Sequence, residues 1–184
     1  MQEHSFISII AKTTIVHTAT YFVMGLLAFT LLDYTSKYAD PAIATFMRQT
    51  DDPLIAAGPL LQVGRGLLFG VAFYTLGEVV FAQRNGWLTL WFVLVIFGIV
   101  STFGPAPSSI EGMIYTHLPM WFHWVGLPEL VLQAFLLAFL THYWVNYPAR
   151  KWLNWLFGLL FLIVILMSAS AILVEIGLWQ IPGQ

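Results

Sequence analysis

Residues 152–174 read WLNWLFGLLFLIVILMSASAILV, a run with no Lys, Arg, Asp or Glu in it. Crossing about 30 Å of hydrocarbon takes about 20 helical residues, so this segment is long enough and apolar enough to span a bilayer. Gly86–Gly104 is a second charge-free stretch of this kind. Three more stretches have the length but carry polar interruptions. Thr13–Leu32 contains His17, Leu54–Ala82 contains Arg65 and Glu78, and Pro119–Val145 contains His123, Glu129 and His142. Alternation of the strand type is missing, which argues against a barrel. The sequence therefore predicts an all-α integral membrane protein: one domain over residues 1–184, a bundle of five transmembrane helices over 13–32, 54–82, 86–104, 119–145 and 152–174.

The composition agrees. Apolar residues make up 59% of the chain and charged residues 9%, against about a quarter charged in a soluble domain. Too few charges remain to coat a water-facing surface, so the bilayer is the expected partner. A net charge of −2 without a basic run excludes nucleic acid as a ligand. The chain has no cysteine, which excludes disulfides, thiolate metal sites and a Cys nucleophile. The first ten residues hold no Lys or Arg and no small-residue cleavage site follows, so the first apolar stretch reads as a retained span.

Five spans put the termini on opposite faces. With the N-terminus cytoplasmic, Lys12, Arg84, Arg150 and Lys151 lie inside and only Lys37 and Arg48 outside. This favours a multi-pass protein of the cell membrane with its C-terminus outside. Trp87, Trp91, Trp144, Trp152 and Trp155 then fall near inner ends, and Trp121, Trp124 and Trp179 near outer ends, as aromatic belts do. Two short helices are expected on the outer face. Asp40-Pro41 provides a cap and a first-turn proline for Pro41–Gln49. Ser108 and Glu111 have capping-box spacing for a helix over Ser109–Thr116.

Ionisable groups inside a membrane are costly and turn toward the bundle. Arg65 and Glu129 lie at similar distances from the starts of two spans that run in the same direction. Gln62 and Gln133 sit one turn away on the same faces. A central Arg65–Glu129 pair flanked by two amides is expected, either as a structural clasp that fixes how the helices pack or as a binding site for a substrate or proton. Gly66 and Gly70 have small-xxx-small spacing, which admits a close helix neighbour and would bury Arg65. Deeper, His17, Glu78 and His142 form an expected inner cluster suited to proton relay. His17 and His142 could also clamp a b-type haem. On the outer side Glu111, His117 and His123 are the weak candidates for a metal, zinc or copper, and would need the intervening loop to fold back. Signatures of membrane zinc proteases, Gly-x-Ser-x-Gly hydrolases, Walker ATPases and retinal proteins are all missing. Three functions fit: small-solute or proton-coupled transport or binding at the Arg–Glu pair, a haem- or quinone-linked electron carrier, and a non-catalytic subunit of a larger membrane complex or homo-oligomer. A catalytic role is not expected.

Overall fold

The computed structural model describes residues 5–100, 102, 104–176 and 178; His4 and Trp179 lie outside them. The described residues are 79% helical, with no strand among them. Helix α1 runs Phe6–Leu31, followed by α2 (Tyr34–Tyr38), α3 (Pro41–Ala44), α4 (Pro53–Thr75) and α5 (Gly77–Val80). Next comes α6 (Gly86–Val95), which passes into a π-helical turn over Ile96–Val100. Then follow α7 (Ile110–Tyr115), α8 (Met120–Asn146) and α9 (Lys151–Glu175). Four of these, α1, α4, α8 and α9, are long and apolar enough to cross a membrane. The helix Gly86–Val100 is shorter.

Each boundary that differs from the sequence reading has a local cause. Helix α1 starts at Phe6 rather than Thr13 because Lys12 does not end it. The Lys12 ammonium donates to the Trp144 carbonyl at 3.1 Å and lies 5.7 Å from the centre of the Trp144 ring, so its charge is met at the C-terminal end of α8. Helix α4 opens on Asp52, whose carboxylate accepts from the Leu54 N–H at 2.8 Å, with Pro53 in the first turn. It stops at Thr75 instead of continuing to Ala82. By then its 23 residues have risen about 35 Å, already a full crossing. Gly86 starts α6 because an added Cβ would sit 1.9 Å from the Val80 carbonyl oxygen. Helix α7 is capped by Ser109, whose hydroxyl accepts from the Gly112 N–H at 2.9 Å. The expected cap, Ser108, is one residue out of place. It sits at φ 65° and gives its N–H to His123 Nδ1 at 2.9 Å.

Helix α1 packs against α4, α8 and α9, and α6 lies against α8. The Trp91 indole ties α6 to α8 by donating to the Val131 carbonyl at 3.1 Å. The apolar core joins Val16 and Ala19 of α1 to Phe73 of α4, Leu137 and Ala138 of α8, and Leu153 and Phe157 of α9. Unlike a helix of a soluble protein, α1 buries polar residues: Thr13, Thr14, His17, Thr18 and Thr20 are all covered. Leu159, Leu162 and Leu166 of α9 are uncovered by protein. This inside-out pattern suits a bilayer, where burying apolar side chains between helices gains little over leaving them in lipid.

The closest helix approach is between α1 and α4. A Cβ at Gly66 would lie 2.7 Å from Thr14 Cα, and one at Gly70 would lie 2.7 Å from Ile10 Cα. The small-xxx-small spacing read from the sequence is therefore a contact with α1. It does not bury Arg65, whose position is rotated away from the seam and remains exposed.

Gly66→Ala and Gly70→Ala should each lower stability in detergent by about 1–3 kcal/mol, because backbone must move to admit the methyl group. Gly64→Ala is the control: nothing lies within 4 Å of its Cβ position, so it should be neutral or gain up to about 1 kcal/mol. Thermal unfolding of the three variants checks this, and equal effects at all three positions would remove the seam.

Candidate functional site

Four polar residues of the membrane-crossing helices, His17, Tyr21, Arg65 and Gln133, line a half-open cavity of about 170 Å³. Four segments line it: α1 with His17 and Tyr21, α4 with Arg65 and Phe69, α6 and its π-turn with Leu94 and Gly98, and α8 with Gln133 and Leu137. The π-turn is the local irregularity that brings Gly98 and Ile99 to the wall. Such turns insert a residue into a helix and are frequent at functional sites.

His17 is 2% exposed. Its Nε2 lies 3.3 Å from Gln62 Oε1, and its ring meets Phe69 edge-on at 5.0 Å between centres. Its other nitrogen, Nδ1, is buried without a partner. Gln62 is itself buried, one turn above Arg65. Arg65, Gln133 and His17 line this space, and Gln62 does not line it but meets His17 from the side of α4. The sequence reading placed His17 deeper, because it began α1 at Thr13. With α1 starting at Phe6, His17 sits further into the helix, level with Gln62.

Arg65 and Glu129 do not form the direct pair expected from their depths. Among the described residues the ion pair within 4 Å is Arg48–Asp52, at 2.7 Å on the surface. The Glu129 carboxylate instead accepts a hydrogen bond from the Tyr34 hydroxyl. The Tyr34 ring stacks on Tyr38 at 5.1 Å, and Tyr38 meets Phe122 at 6.0 Å. Burial first, then the hydrogen bond to Glu129, hold the Tyr34 phenol well above its ordinary pKa, and burial pushes Tyr38 up to about 12. Both remain protonated donors near neutral pH. Tyr21 lies within electrostatic reach of Arg65 and of Glu129. The two charges thus face a shared tyrosine without touching.

The inner group takes a different form from the one expected. Glu78 is on the short helix α5, exposed beside Val79, Ala82 and Gln83. His142 Nε2 lies 3.1 Å from the Gln83 carbonyl and 3.1 Å from Asn146 Nδ2, with the ring against Phe81. His17 is bonded one level higher, to Gln62. In each imidazole Nε2 is therefore engaged by a neighbour. On the outer side, His123 is fully buried, with Nδ1 accepting from Ser108. That bond fixes the proton on Nε2. His117 is exposed and Glu111 is half-buried on α7. Among the described residues, no group of three His, Asp or Glu is placed to hold a metal ion.

Sequence reasoning missed Tyr34 and the π-turn. The four-residue spacing of Tyr34 and Tyr38 was the available signal for an aromatic pair on one helix face. Compared with protein families, with curated proteins and with solved structures, the chain matches none.

Removing the Tyr34 hydroxyl should leave the half-buried Glu129 without its donor, so Tyr34→Phe should cost about 1–3 kcal/mol. In a Glu129→Leu background the same change should cost close to nothing, a coupling of about 0.5–3 kcal/mol. Thermal unfolding of both singles and the double measures it. Additive losses would mean the bond contributes nothing.

Proposed function

We propose that this chain is a membrane protein that binds a small solute, and couples its movement to protons, at the cavity around Arg65. The observation that carries the reading is the state of Arg65. It lines a half-open cleft between the helices, and among the described residues no carboxylate lies within ion-pair distance of it. Guanidinium stays charged under essentially any protein condition, and a charge at this level is costly unless it serves a partner or a polar path. Gln133, Tyr21 and His17 supply further hydrogen-bonding groups around the same space, held there by the α1–α4 seam and by the Gln62 contact. Glu129 is the proton carrier in this reading. It is the one carboxyl in the interior of the four long helices, since Glu175 merely closes α9.

The architecture that serves this function is a single bundle crossing the membrane five times. Helix α6 with its π-turn is the short fifth span. Its rise of about 22 Å falls short of the hydrocarbon thickness, and local bilayer thinning or shielding by α8 makes up such a mismatch. The N-terminus is cytoplasmic and the short helices α2, α3 and α7 lie on the outer surface. Lys12 beside Trp144 at the inner end of α8 supports this orientation. A cysteine at Ala39 that reacts with an impermeant reagent only after cell lysis would reverse it.

Proteoliposomes loaded with a pH-sensitive dye test the function. At least one small polar solute from a panel of short carboxylates, amino acids and amides should change internal pH faster than in protein-free vesicles. Ala134→Phe, which fills the cavity, should abolish the difference. Solute-independent traces, identical for both proteins, would overturn the reading.

A further inference from the structure

We infer that the cavity at Arg65 takes a small monocarboxylate with a short apolar tail; this rests on the solute-binding reading above and names its ligand. The cavity has two kinds of lining. Arg65, Gln133, Tyr21 and His17 are its polar lining, and Phe69, Leu94, Ile99, Leu130 and Leu137 its apolar lining. The fixed cation presents a planar fork of N–H donors, the geometry that matches a carboxylate through two parallel bonds. With no protein carboxylate in that position, the place of the anion is open to a ligand.

The walls decide the rest of the molecule. They offer no second cation and few donors, so a multiply charged anion such as phosphate would leave charge unsolvated against leucine and phenylalanine. A neutral alcohol would leave the guanidinium unpaired, and an ammonium ion would be repelled by it. Size sets the chain length. An apolar protein cavity of about 150 Å³ holds benzene, a molecule of roughly six heavy atoms. The volume here, about 170 Å³, suits butyrate, which has the same number. A long-chain fatty acid would overrun it.

His17 adds an independent observation. It lines this cavity while 2% exposed, and its Nδ1 has no partner in the protein. A buried ring nitrogen left unsatisfied is costly, and a polar guest, or a water arriving with it, completes the set. Glu129 stands apart from the ligand's place because Tyr34 already holds it.

The test is thermal unfolding of the full chain in nanodiscs, titrated with sodium butyrate, sodium octanoate, 1-butanol, butylammonium chloride and sodium phosphate. Sodium chloride at equal ionic strength is the baseline. Butyrate should raise the midpoint saturably, and Arg65→Gln should weaken its apparent affinity about 10- to 100-fold, the loss expected for charge-assisted hydrogen bonds. Leu94→Ala keeps the polar lining and enlarges the cavity, so it should shift preference from butyrate toward hexanoate. That variant decides the matter if Arg65→Gln does not fold. Butyrate acting no better than chloride, or equally on Arg65→Gln, overturns the inference. If butanol, butylammonium, phosphate or octanoate stabilises in its place, the ligand class falls while the solute-binding reading stands. If all five probes are silent, the inference falls, and the solute-binding reading falls only if the amino acids and amides of the proteoliposome panel are silent too.

Discussion

The approach of α1 to α4 across Gly66 and Gly70 is the contact on which the rest of the arrangement depends. Two backbones meet there at a distance that no side chain larger than hydrogen permits. In lipid such closeness matters more than apolar burial, because hydrocarbon competes equally well for apolar side chains. Once Thr14 lies over Gly66 and Ile10 over Gly70, the register of the two helices is set. His17 then comes level with Gln62, and their bond follows. Successive helix residues are rotated by about 100°, so a Gly66 facing α1 turns Arg65 toward the space shared with α6 and α8.

Around this seam the protein handles polar groups by giving each a local partner where the helices are close. Thr14 and Thr20 return their hydroxyls to the carbonyls of Ile10 and Val16, each at 2.8 Å. Lys12 finds a carbonyl and an aromatic face, and Glu129 finds a phenol. A few buried polar atoms are left over, among them Thr13 Oγ1, Thr18 Oγ1, Thr141 Oγ1 and His17 Nδ1. They lie on α1 and α8, the two helices that also contribute His17 and Gln133 to the cavity wall. Unsatisfied buried groups are costly, and here they are concentrated on the same two helices.

The sequence conveyed the helical class plainly, since a charge-free run such as 152–174 has no soluble alternative. It also conveyed which residues gather at the site. Depth put Arg65 and Gln133 at one level, and both line the same cavity; the glycine spacing announced a close helix contact. Depth arguments failed where they relied on a helix start. Reading α1 from Thr13 misplaced His17 by about two turns, because a lone Lys12 looks like a boundary until Trp144 is seen to receive it. Depth also says nothing of azimuth. Arg65 and Glu129 share a level, yet a phenol from the short helix α2 reaches Glu129 first. That phenol belongs to a segment whose own path depends on Asp33 taking a left-handed conformation, φ 48°, which no periodicity reveals.

The polar, positively charged cleft beside Arg65 is directly open to chemical measurement. Because the chain contains no cysteine, a single Gly98→Cys variant reports on it without background, and nothing lies within 4 Å of the added Cβ. The rates at which small anionic and cationic thiosulfonate reagents modify it are the measurement. The account predicts modification at both charges with the anionic reagent faster, and loss of that preference in Arg65→Gln. A cysteine at Gly98 as inert as one at the lipid-facing Leu166 would contradict it.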